Sequence, residues 1–294
     1  MKQERFYISK KADPTGRGGG SNTFSYNLHQ YLKGKNISTA ASLLSADKAI
    51  VIAFHAFLPA LWLAKKKGCF VIHRLDEHFV QNEDEGRRKR HEKIKKINAF
   101  ADVTVFQSEF VKENVLPHLQ TKRWCIIRNG GNPDVFYDDG GTRKYIGHVT
   151  NSVADKKRLD LLEKTIQKYP EESFLLVGHH AQSAIPFSRY PNVTLTGPVG
   201  RNEIAGLYRK MKCLYFPSEN DPCPNTAVEA VLSGVPVCYN PAGGTVEIVK
   251  DCGLPLPHFE ELLKTYQDLR KRCAQRRDLY FDQAAEQYLS LSLR

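Results

Sequence analysis

Residues 217–230 hold a dense group of polar side chains that could bind a ligand. They follow a predicted strand and lead into a predicted helix, and open α/β sheets bind ligands beyond the carboxyl ends of their strands. Asn225 is placed to cap that helix, which leaves the next backbone N–H groups available to a diphosphate. Glu229 would lie one turn inside the helix, within reach of ribose hydroxyls, and Asp221 in the loop beside the sugar. The pattern favours a site for a nucleotide-linked substrate over its plainer alternative, a helix cap with acidic first-turn residues.

A second candidate is the glycine-rich segment 16–20, which lies between the first predicted strand and a predicted helix over residues 21–33 with Ser21 at its N-cap. Glycines let backbone N–H groups approach a ligand closely, and a helix N-terminus attracts anions. The segment is neither a Gly-x-Gly-x-x-Gly fingerprint nor a P-loop, since no Gly-Lys-Ser/Thr follows. We therefore predict that Gly19 and Gly20 contact an anionic ligand, and the alternative is a flexible loop.

The elements that must position these residues alternate between strands and helices along the whole chain, which is typical of parallel sheets covered by helices. The predicted strands are residues 5–9, 49–54, 69–75, 103–107 and 124–128, then 145–149, 174–178, 193–196, 213–217 and 235–239. A cluster of turn formers at 129–133 separates the two series. Two doubly wound domains fit this pattern better than one very large sheet. We predict domains at 1–137 and 138–275, and a C-terminal helix at 276–294 that packs back on the first domain.

The composition is that of a folded globular protein. The chain has 294 residues, of which 41% are hydrophobic and 26% charged. No apolar run reaches the roughly 20 residues needed to span a bilayer, and the start lacks the apolar stretch of a secretory signal, so we expect a cytoplasmic protein. The seven cysteines form no Cys-x-x-Cys pair, which favours buried free thiols over a disulfide framework or a metal site.

The net charge of +11 is unevenly distributed. Residues 1–137 carry 23 Lys or Arg against 13 Asp or Glu, whereas the remainder carry 20 against 19. A basic half of this kind fits an anionic partner such as a lipid surface, a phosphorylated acceptor or nucleic acid. The alternative for the basic run at 87–96 is a solvated helix face.

Three blocks in the second half resemble those of one known family. Asp221 and Glu229, with seven residues between them, resemble the Glu-x7-Glu motif of GT-B glycosyltransferases of the family 4 type. Residues 229–237 are similar to the helix-Gly-x-Pro-Val continuation of that family, and residues 242–249 resemble its Gly-Gly-x-x-Glu-hydrophobic-Val signature. Their order along the chain makes the likeness specific.

Further blocks resemble the same family where it places them. Residues 127–136 look like its Pro-Asn-Gly-Val-Asp-x-x-x-Phe segment, and residues 101–109 are similar to its Ala-Asp-x-Val-x-x-x-Ser turn. Residues 155–162 resemble its Glu-Lys-Gly-Leu-Asp-Leu-Leu segment. The likeness covers roughly residues 5–255.

The resemblance implies two doubly wound Rossmann-like domains that face each other across a cleft. It implies transfer of a sugar from a nucleoside diphosphate sugar to an acceptor hydroxyl, with retention of the anomeric configuration. Glu229 would bind the ribose, Lys157 would neutralise the diphosphate, and Asp221 would contact the donor sugar. The implied donor-binding set also includes Gly19, Gly20, His148, Glu219, Asn225 and Thr226.

The sequence departs from the family pattern at three positions. Asp221 is one methylene shorter than the glutamate of the motif, so contact with the sugar would pass partly to Glu219. A histidine, His148, stands where many members have an arginine, and a neutral ring leaves more of the diphosphate charge to Lys157, with Lys156 or Arg158 as further candidates. Asp76 stands at the place of the catalytic histidine of the first domain, where it would position the sugar or acceptor; His73 and His78 are neighbouring alternatives.

The sequence lacks the Asp-x-Asp pair that holds a divalent ion against a diphosphate, so we expect no metal and no cofactor besides the nucleotide-sugar co-substrate. The acceptor would lie on the basic first domain. It would be a lipid-linked acceptor at the inner face of an anionic membrane, or a soluble phosphorylated one. A catalytically silent binding or scaffold subunit is the main alternative. Nucleic-acid binding is disfavoured, because the sequence shows no helix-turn-helix or RNA-binding motif.

Overall fold

The computed structural model describes residues 4–13, 19–79, 84–121 and 123–292, which form two compact units. Unit 1 contains the described residues up to Arg128, together with those from Asp282 onward, and unit 2 contains Asn129–Phe281. Each unit is built on one sheet in which all pairs of neighbouring strands are parallel.

The described strands of unit 1 pair in the order β1-β2-β3-β4-β5. They are β1 (Phe6–Ile8), β2 (Lys48–Ile52), β3 (Phe70–Leu75), β4 (Val103–Phe106) and β5 (Trp124–Ile126). The helices are α1 (Gly20–Gly34), α2 (Leu58–Lys66), α3 (Glu85–Asn98), α4 (Glu109–Val115) and, at the end of the chain, α10 (Phe281–Ser290).

Helices cover both faces of the sheet of unit 1. Alternate residues of a strand point to opposite faces, and Ala49, Val51 and Val71 pack in one cluster with buried side chains of α2 and α3. On the other face, the guanidinium of Arg74 lies 3.9 Å from the ring centroid of Phe24 on α1.

The C-terminal helix α10 packs within unit 1. The ring of Tyr288 lies 5.1 Å from that of Phe24, and Lys48 Nζ donates a hydrogen bond to Leu289 O at 3.3 Å. The last helix therefore packs against α1 and the first residue of β2.

Unit 2 has its strands in the order β11-β10-β9-β6-β7-β8. They are β6 (Tyr145–Thr150), β7 (Phe174–Gly178), β8 (Val193–Gly197), β9 (Met211–Phe216), β10 (Val237–Tyr239) and β11 (Gly253–Pro255). The helices are α5 (Leu159–Lys168), α6 (Arg201–Tyr208), α7 (Asn225–Leu232), α8 (Thr245–Val249) and α9 (Phe259–Cys273).

Two hydrophobic clusters flank the sheet of unit 2. Leu214 and Phe216 of β9 lie in a cluster with buried residues of α6, α7 and α8, whereas Cys213 and Tyr215 lie in another with α5 and α9. The period of two along β9 thus distributes the helices over the two faces. This architecture confirms the predicted fold class of two Rossmann-like α/β domains.

The change between the units falls at Arg128/Asn129 rather than at 137/138, where the sequence pattern suggests it. Asn129 Nδ2 donates to Cys223 O at 3.0 Å, and Gly131 N donates to Leu279 O at 2.9 Å. These bonds attach the segment after Arg128 to unit 2.

The segment 138–141, which directly follows the predicted domain boundary, is anchored by its first residue. Arg143 Nη2 and Arg270 Nε both lie 2.6 Å from the carboxylate of Asp138. Two guanidinium groups on one carboxylate form strong charge-assisted bonds. The Asp-Asp-Gly-Gly run is therefore part of unit 2 and not a free connection.

One local prediction was wrong, and one strand was not predicted. Helix α1 begins at Gly20 with Gly19 as its N-cap, whereas Ser21 was predicted to cap it; the Ser21 hydroxyl instead accepts a bond from Lys10 Nζ at 2.5 Å. Strand β11 was not predicted, because its sequence, Gly-Leu-Pro, has a low propensity for strands. Parallel pairing with β10 stabilises this strand despite its low intrinsic propensity.

Candidate functional site

The site of unit 2 lies where the winding of its sheet reverses. From β6 the chain proceeds through β7 to β8, and then returns to the opposite side of β6 to form β9. The carboxyl ends of β6 and β9 are therefore adjacent, and the loops that follow them diverge at a topological switch point, the usual ligand-binding place in such sheets. These two loops carry Lys157 and Asp221.

Backbone and side-chain contacts join the two loops. Glu219 N donates to Lys156 O at 2.8 Å, and the guanidinium of Arg158 binds the Glu219 carboxylate. Arg158 adopts a left-handed conformation, with φ of 49°, at the start of α5. Glu219, predicted to share contact with the sugar, thus already has a strong cationic partner that fixes the second loop against the first.

Lys157 lies at the centre of this arrangement. Its Nζ is 3.7 Å from Asp221 Oδ2 and 5.9 Å from the ring centroid of Phe216, and its side chain is 14% exposed. Burial lowers the pKa of Lys157, and the Asp221 carboxylate partly offsets that effect. A poorly hydrated ammonium with one carboxylate at long range attracts a further anion strongly. The site suits the phosphates of a ligand.

Asp221 is positioned by the glycine pair that follows β10. Its carbonyl oxygen accepts a bond from Gly244 N at 2.8 Å, and its backbone forms a bridge with Gly243. Gly243 has φ of 91°, and a Cβ there would lie 2.8 Å from both Asp221 N and Asp221 O. The segment 242–249 therefore has a physical role, because only glycine lets the backbone approach Asp221 so closely.

Replacing Gly243 with alanine will destabilise the protein by about 2 kcal/mol or more, because it adds both a strained φ and a backbone overlap. Urea denaturation of the purified variant measures this change. Gly206→Ala is the matched control: Gly206 lies inside α6 and a Cβ there would meet nothing within 4 Å, so alanine will leave stability unchanged or raise it by up to about 1 kcal/mol. Equal losses for both variants would contradict the assignment.

Helix α7 begins at Asn225, whereas Asn225 was predicted to be its N-cap. The N-cap is Pro224, and no side-chain capping bond is formed. Asn225 Oδ1 instead accepts a bond from Asn129 Nδ2 at 2.8 Å, so it joins the segment 127–136 to the helix. The first-turn N–H groups at Asn225 and Thr226 still precede any intrahelical acceptor, so the helix terminus retains its affinity for anions.

Glu229 lies one turn inside α7, as predicted, and is partly buried. Burial raises its pKa to about 7, against the lowering influence of Arg201 and of the Tyr208 hydroxyl, which donates to Glu229 Oε2 at 3.2 Å. The same hydroxyl is 3.3 Å from Thr226 O, so Tyr208 connects both ends of the first turn. A poorly hydrated carboxylate that retains accepting capacity is suited to vicinal hydroxyls such as those of a ribose.

The raised pKa of Glu229 predicts a pH dependence of stability. A carboxyl that ionises at about pH 7 when folded but near 4.5 when unfolded holds more protons in the folded state between those values. The free energy of unfolding therefore falls as pH rises through this window, by at most about 3 kcal/mol from this group. In urea titrations across this range, Glu229→Gln will lack this decline. The buried histidines change stability in the opposite direction, so the difference between the two proteins is what tests the prediction.

His148 is fully buried on β6 and is paired with a second histidine. Its Nδ1 lies 2.6 Å from His180 Nε2. Burial, followed by the proximity of His180 and Lys157, holds the pKa of His148 well below its ordinary value, and burial lowers the pKa of His180 to about 4. A neutral ring at this position adds no positive charge to the site.

The candidates of the first half lie in unit 1. Asp76 follows β3, and its Oδ2 accepts a bond from Arg74 Nη1 at 3.0 Å. His73 is a core residue whose ring nitrogens bond Ala53 O at 2.8 Å and Asn98 Nδ2 at 3.0 Å, which makes it structural rather than catalytic. The ring of His78 lies 5.4 Å from that of Phe110.

Gly19 and Gly20 lie at the start of α1, where the helix N-terminus retains the predicted capacity to attract an anion. A Cβ at Gly19 would meet nothing within 4 Å, so this backbone is open to approach. The remainder of the glycine-rich segment, residues 16–18, lies outside the described residues.

Sequence patterns did not identify Arg201, Tyr208 or His180 as parts of the site. Arg201 and Tyr208 begin and end α6, and His180 follows β7, so none belongs to the blocks that resemble the family. Their proximity to Glu229 and His148 arises from packing. Asn129, in contrast, lies in the block 127–136 that resembles a segment of the family, so the sequence did point to it.

Among the described residues, no group of three or more His, Cys, Asp or Glu side chains is arranged to hold a metal ion. The seven cysteines are free thiols. None of the helices in the described part of the chain combines the length and the apolar composition needed to cross a membrane.

Comparison with protein-family models finds one family that part of unit 2 resembles. Residues 143–269 match the family model described as glycosyl transferases group 1. A search of curated protein sequences finds no match to the chain.

Solved structures resemble the whole chain. Sucrose-phosphate synthase from Thermosynechococcus elongatus is 17% identical with a TM-score of 0.67, over 95% of this chain and 80% of that one. Anabaena Alr3699/HepE in complex with UDP and glucose is 15% identical with a TM-score of 0.71, over 98% and 100%. AviGT4, a glycosyltransferase involved in avilamycin A biosynthesis, is 13% identical with a TM-score of 0.65, over 98% and 96%.

Identities this low establish the fold alone. The family model covers most of unit 2, including Lys157, Asp221 and Glu229. Residues 143–269 therefore match the glycosyl transferases group 1 family, within a chain that has the two-domain GT-B fold.

Proposed function

We propose that the protein transfers a sugar from a nucleoside diphosphate sugar to an acceptor hydroxyl, with retention of the anomeric configuration. The observation that carries the proposal is the switch point of unit 2, where Lys157 and Asp221 lie 3.7 Å apart and α7 presents its N-terminus and Glu229. Within a segment that matches glycosyl transferases group 1, this set offers one group for each part of such a donor.

The roles follow from the chemistry of each group. When the bond between the anomeric carbon and the diphosphate breaks, negative charge grows on the leaving oxygen, and Lys157 with the first-turn N–H groups of α7 stabilises it. Glu229 accepts hydrogen bonds from the ribose. Asp221 binds hydroxyls of the sugar, while its salt bridge to Lys157 gives way to the phosphates. Asp76 is proposed to position the sugar or the acceptor.

Uridine nucleotides are the first donors to test, because the Anabaena structures contain UDP, glucose or UDP-glucose. We further propose that the reaction needs no metal ion. We also propose that the acceptor binds to the basic first domain. The positive charge of that domain suits a lipid-linked acceptor on an anionic membrane or a soluble phosphorylated acceptor.

The experiment is a panel of UDP, UDP-glucose, UDP-N-acetylglucosamine and GDP-mannose, measured first by thermal unfolding with and without EDTA. A donor at a hundred times its Kd stabilises the folded state by about 2.7 kcal/mol, which shifts the Tm measurably. NMR of the product then shows whether the anomeric configuration is retained. Failure of every nucleotide sugar to bind would refute the proposal, and binding without hydrolysis or transfer would indicate a silent binding subunit. Loss of activity in EDTA would refute metal independence.

A further inference from the structure

A pocket of about 420 Å³ lies on unit 1, between α2 and α3. It is lined by Leu58 of α2 and by five charged residues of α3, which are Arg88, Lys89, Glu92, Lys93 and Lys96. The opposite face of α3 is buried through His91, Ile94 and Ile97. The basic run at 87–96 could be a solvated helix face or a surface for an anionic partner. Its side chains share a concave surface with an apolar side chain.

The positive charge of this surface is only partly neutralised: Glu92 lies among the cations, and Lys95, followed by Lys96 and Arg88, lowers its pKa. Lys89 and Glu92 each have a partner on the same helix, at 2.6 Å from Glu85 and 2.8 Å from Lys95. Arg88, Lys93 and Lys96 form no ion pair with any other residue in the described part of the chain. Such a surface attracts anions over a range of about 10 Å at moderate salt.

Large apolar side chains lie exposed on the neighbouring helix. Phe57, Trp62 and Leu63 are 72%, 53% and 37% exposed, while Leu61 and Ala64 on the other side of α2 are buried in the core. Leu58 and Trp62 are four residues apart and so lie on one face of α2. Lys66 Nζ lies 5.7 Å from the Trp62 ring centroid, at the border of this apolar face.

Apolar and basic residues side by side are the composition of a surface that enters the interfacial region of a bilayer. The apolar side chains reach the acyl boundary while cations remain at the level of the phosphates. Nucleic acid fits less well, because Leu58 and Leu63 are aliphatic and offer no stacking surface to bases. A bilayer accepts aliphatic and aromatic side chains alike.

We propose that α2 and α3 form a docking surface for an anionic lipid bilayer. This surface consists of Phe57, Leu58, Trp62 and Leu63 of α2 with Arg88, Lys93 and Lys96 of α3. Phe57, Trp62 and Leu63 insert at the interface, and the three cations bind lipid phosphates. The proposal depends only on unit 1, so it holds whether or not the protein transfers a sugar.

Flotation of the protein with vesicles tests the proposal. We expect binding to vesicles of equal parts phosphatidylcholine and phosphatidylglycerol, little binding to phosphatidylcholine alone, and release by high salt. The triple variant Arg88→Glu, Lys93→Glu, Lys96→Glu will bind roughly a hundredfold more weakly or worse, since each cation contributes about fivefold. Trp62→Ala will bind about tenfold more weakly because it loses apolar insertion.

A triple variant with the same change in net charge is the matched control. Lys164, Lys210 and Lys264 are exposed residues of unit 2, and reversing them will alter binding far less if the docking surface is local. Equal losses for the two triple variants would overturn the proposal, because net charge alone would then account for binding. Circular dichroism and thermal unfolding verify that each variant is folded.

Fluorescence gives a second test that needs no change in the docking surface. The chain has two tryptophans, Trp62 and Trp124, so Trp124→Phe leaves Trp62 as the only reporter. Its emission will shift to the blue with anionic vesicles and stay unchanged with inorganic phosphate or with a single-stranded oligonucleotide. Vesicle binding without a blue shift, or a response to soluble phosphate or oligonucleotide alone, would overturn the proposal.

Discussion

Replacing Lys157 with alanine will lower the rate of sugar transfer by about a hundredfold to a thousandfold, with a much smaller change in KM for the donor. Removing one well-placed donor to the charge that develops in a transition state costs about 3 to 4 kcal/mol. Lys157 is suited to this role because its ammonium is largely buried beside Phe216 and has its only described salt bridge, 3.7 Å long, with Asp221. Charge on the leaving diphosphate grows as the bond breaks, so the loss falls mainly on kcat.

The fold itself will change little in this variant. Burial lowers the pKa of Lys157, so its charge is disfavoured in the free protein, and the 3.7 Å salt bridge to Asp221 contributes about 1 kcal/mol or less to stability. Steady-state kinetics and urea denaturation on the same preparations therefore separate a catalytic effect from a structural one.

Lys156→Ala is the matched control, since Lys156 is the exposed neighbour of Lys157. Its carbonyl oxygen, which binds Glu219 N, remains in an alanine variant. We expect its activity to stay within about threefold of the wild type, because an exposed charge is screened by water. Equal losses for the two variants would contradict the role assigned to Lys157.

Replacing Glu229 with glutamine will weaken binding of the nucleotide sugar by about tenfold to a hundredfold and will stabilise the free protein at and above neutral pH. The two effects have opposite signs for physical reasons. Ribose hydroxyls lose a charged acceptor, which is worth about 1.5 to 3 kcal/mol. The free protein no longer has to ionise a poorly hydrated carboxyl whose pKa is raised to about 7.

Isothermal titration with a nucleotide sugar and urea denaturation of the free variant measure these two effects. Glutamine keeps an oxygen for the Tyr208 hydroxyl, so the local hydrogen bond survives. Glu171→Gln is the control, because Glu171 is exposed in unit 2 and both quantities should stay as in the wild type. Unchanged donor affinity in Glu229→Gln would show that the carboxylate does not contact the ribose.

Much of the architecture was predictable because it depends on local patterns. Strands such as residues 174–178 combine β-branched or aromatic residues with glycine at the end, and helix α3 has caps and a charged face that can be read directly. The position of the site after β9 follows from the alternation of strands and helices. Asn225 was misassigned as a cap because a capping side chain and a side chain with a distant partner look alike in sequence.

Three features follow from the amino-acid sequence alone: the two-domain α/β fold, the placement of Asp221 and Glu229 in the loop and helix after one strand, and the concentration of positive charge in the first half. They depend on neighbouring residues or on composition. Contacts between side chains that are distant in sequence become visible only in the three-dimensional structure. It placed Lys157 beside Asp221, paired His148 with His180, brought Tyr208 to Glu229, and set the cations of α3 against Leu58 of α2. Such contacts depend on strand order and helix packing, which bring together residues far apart in the chain whose spacing carries no local signal.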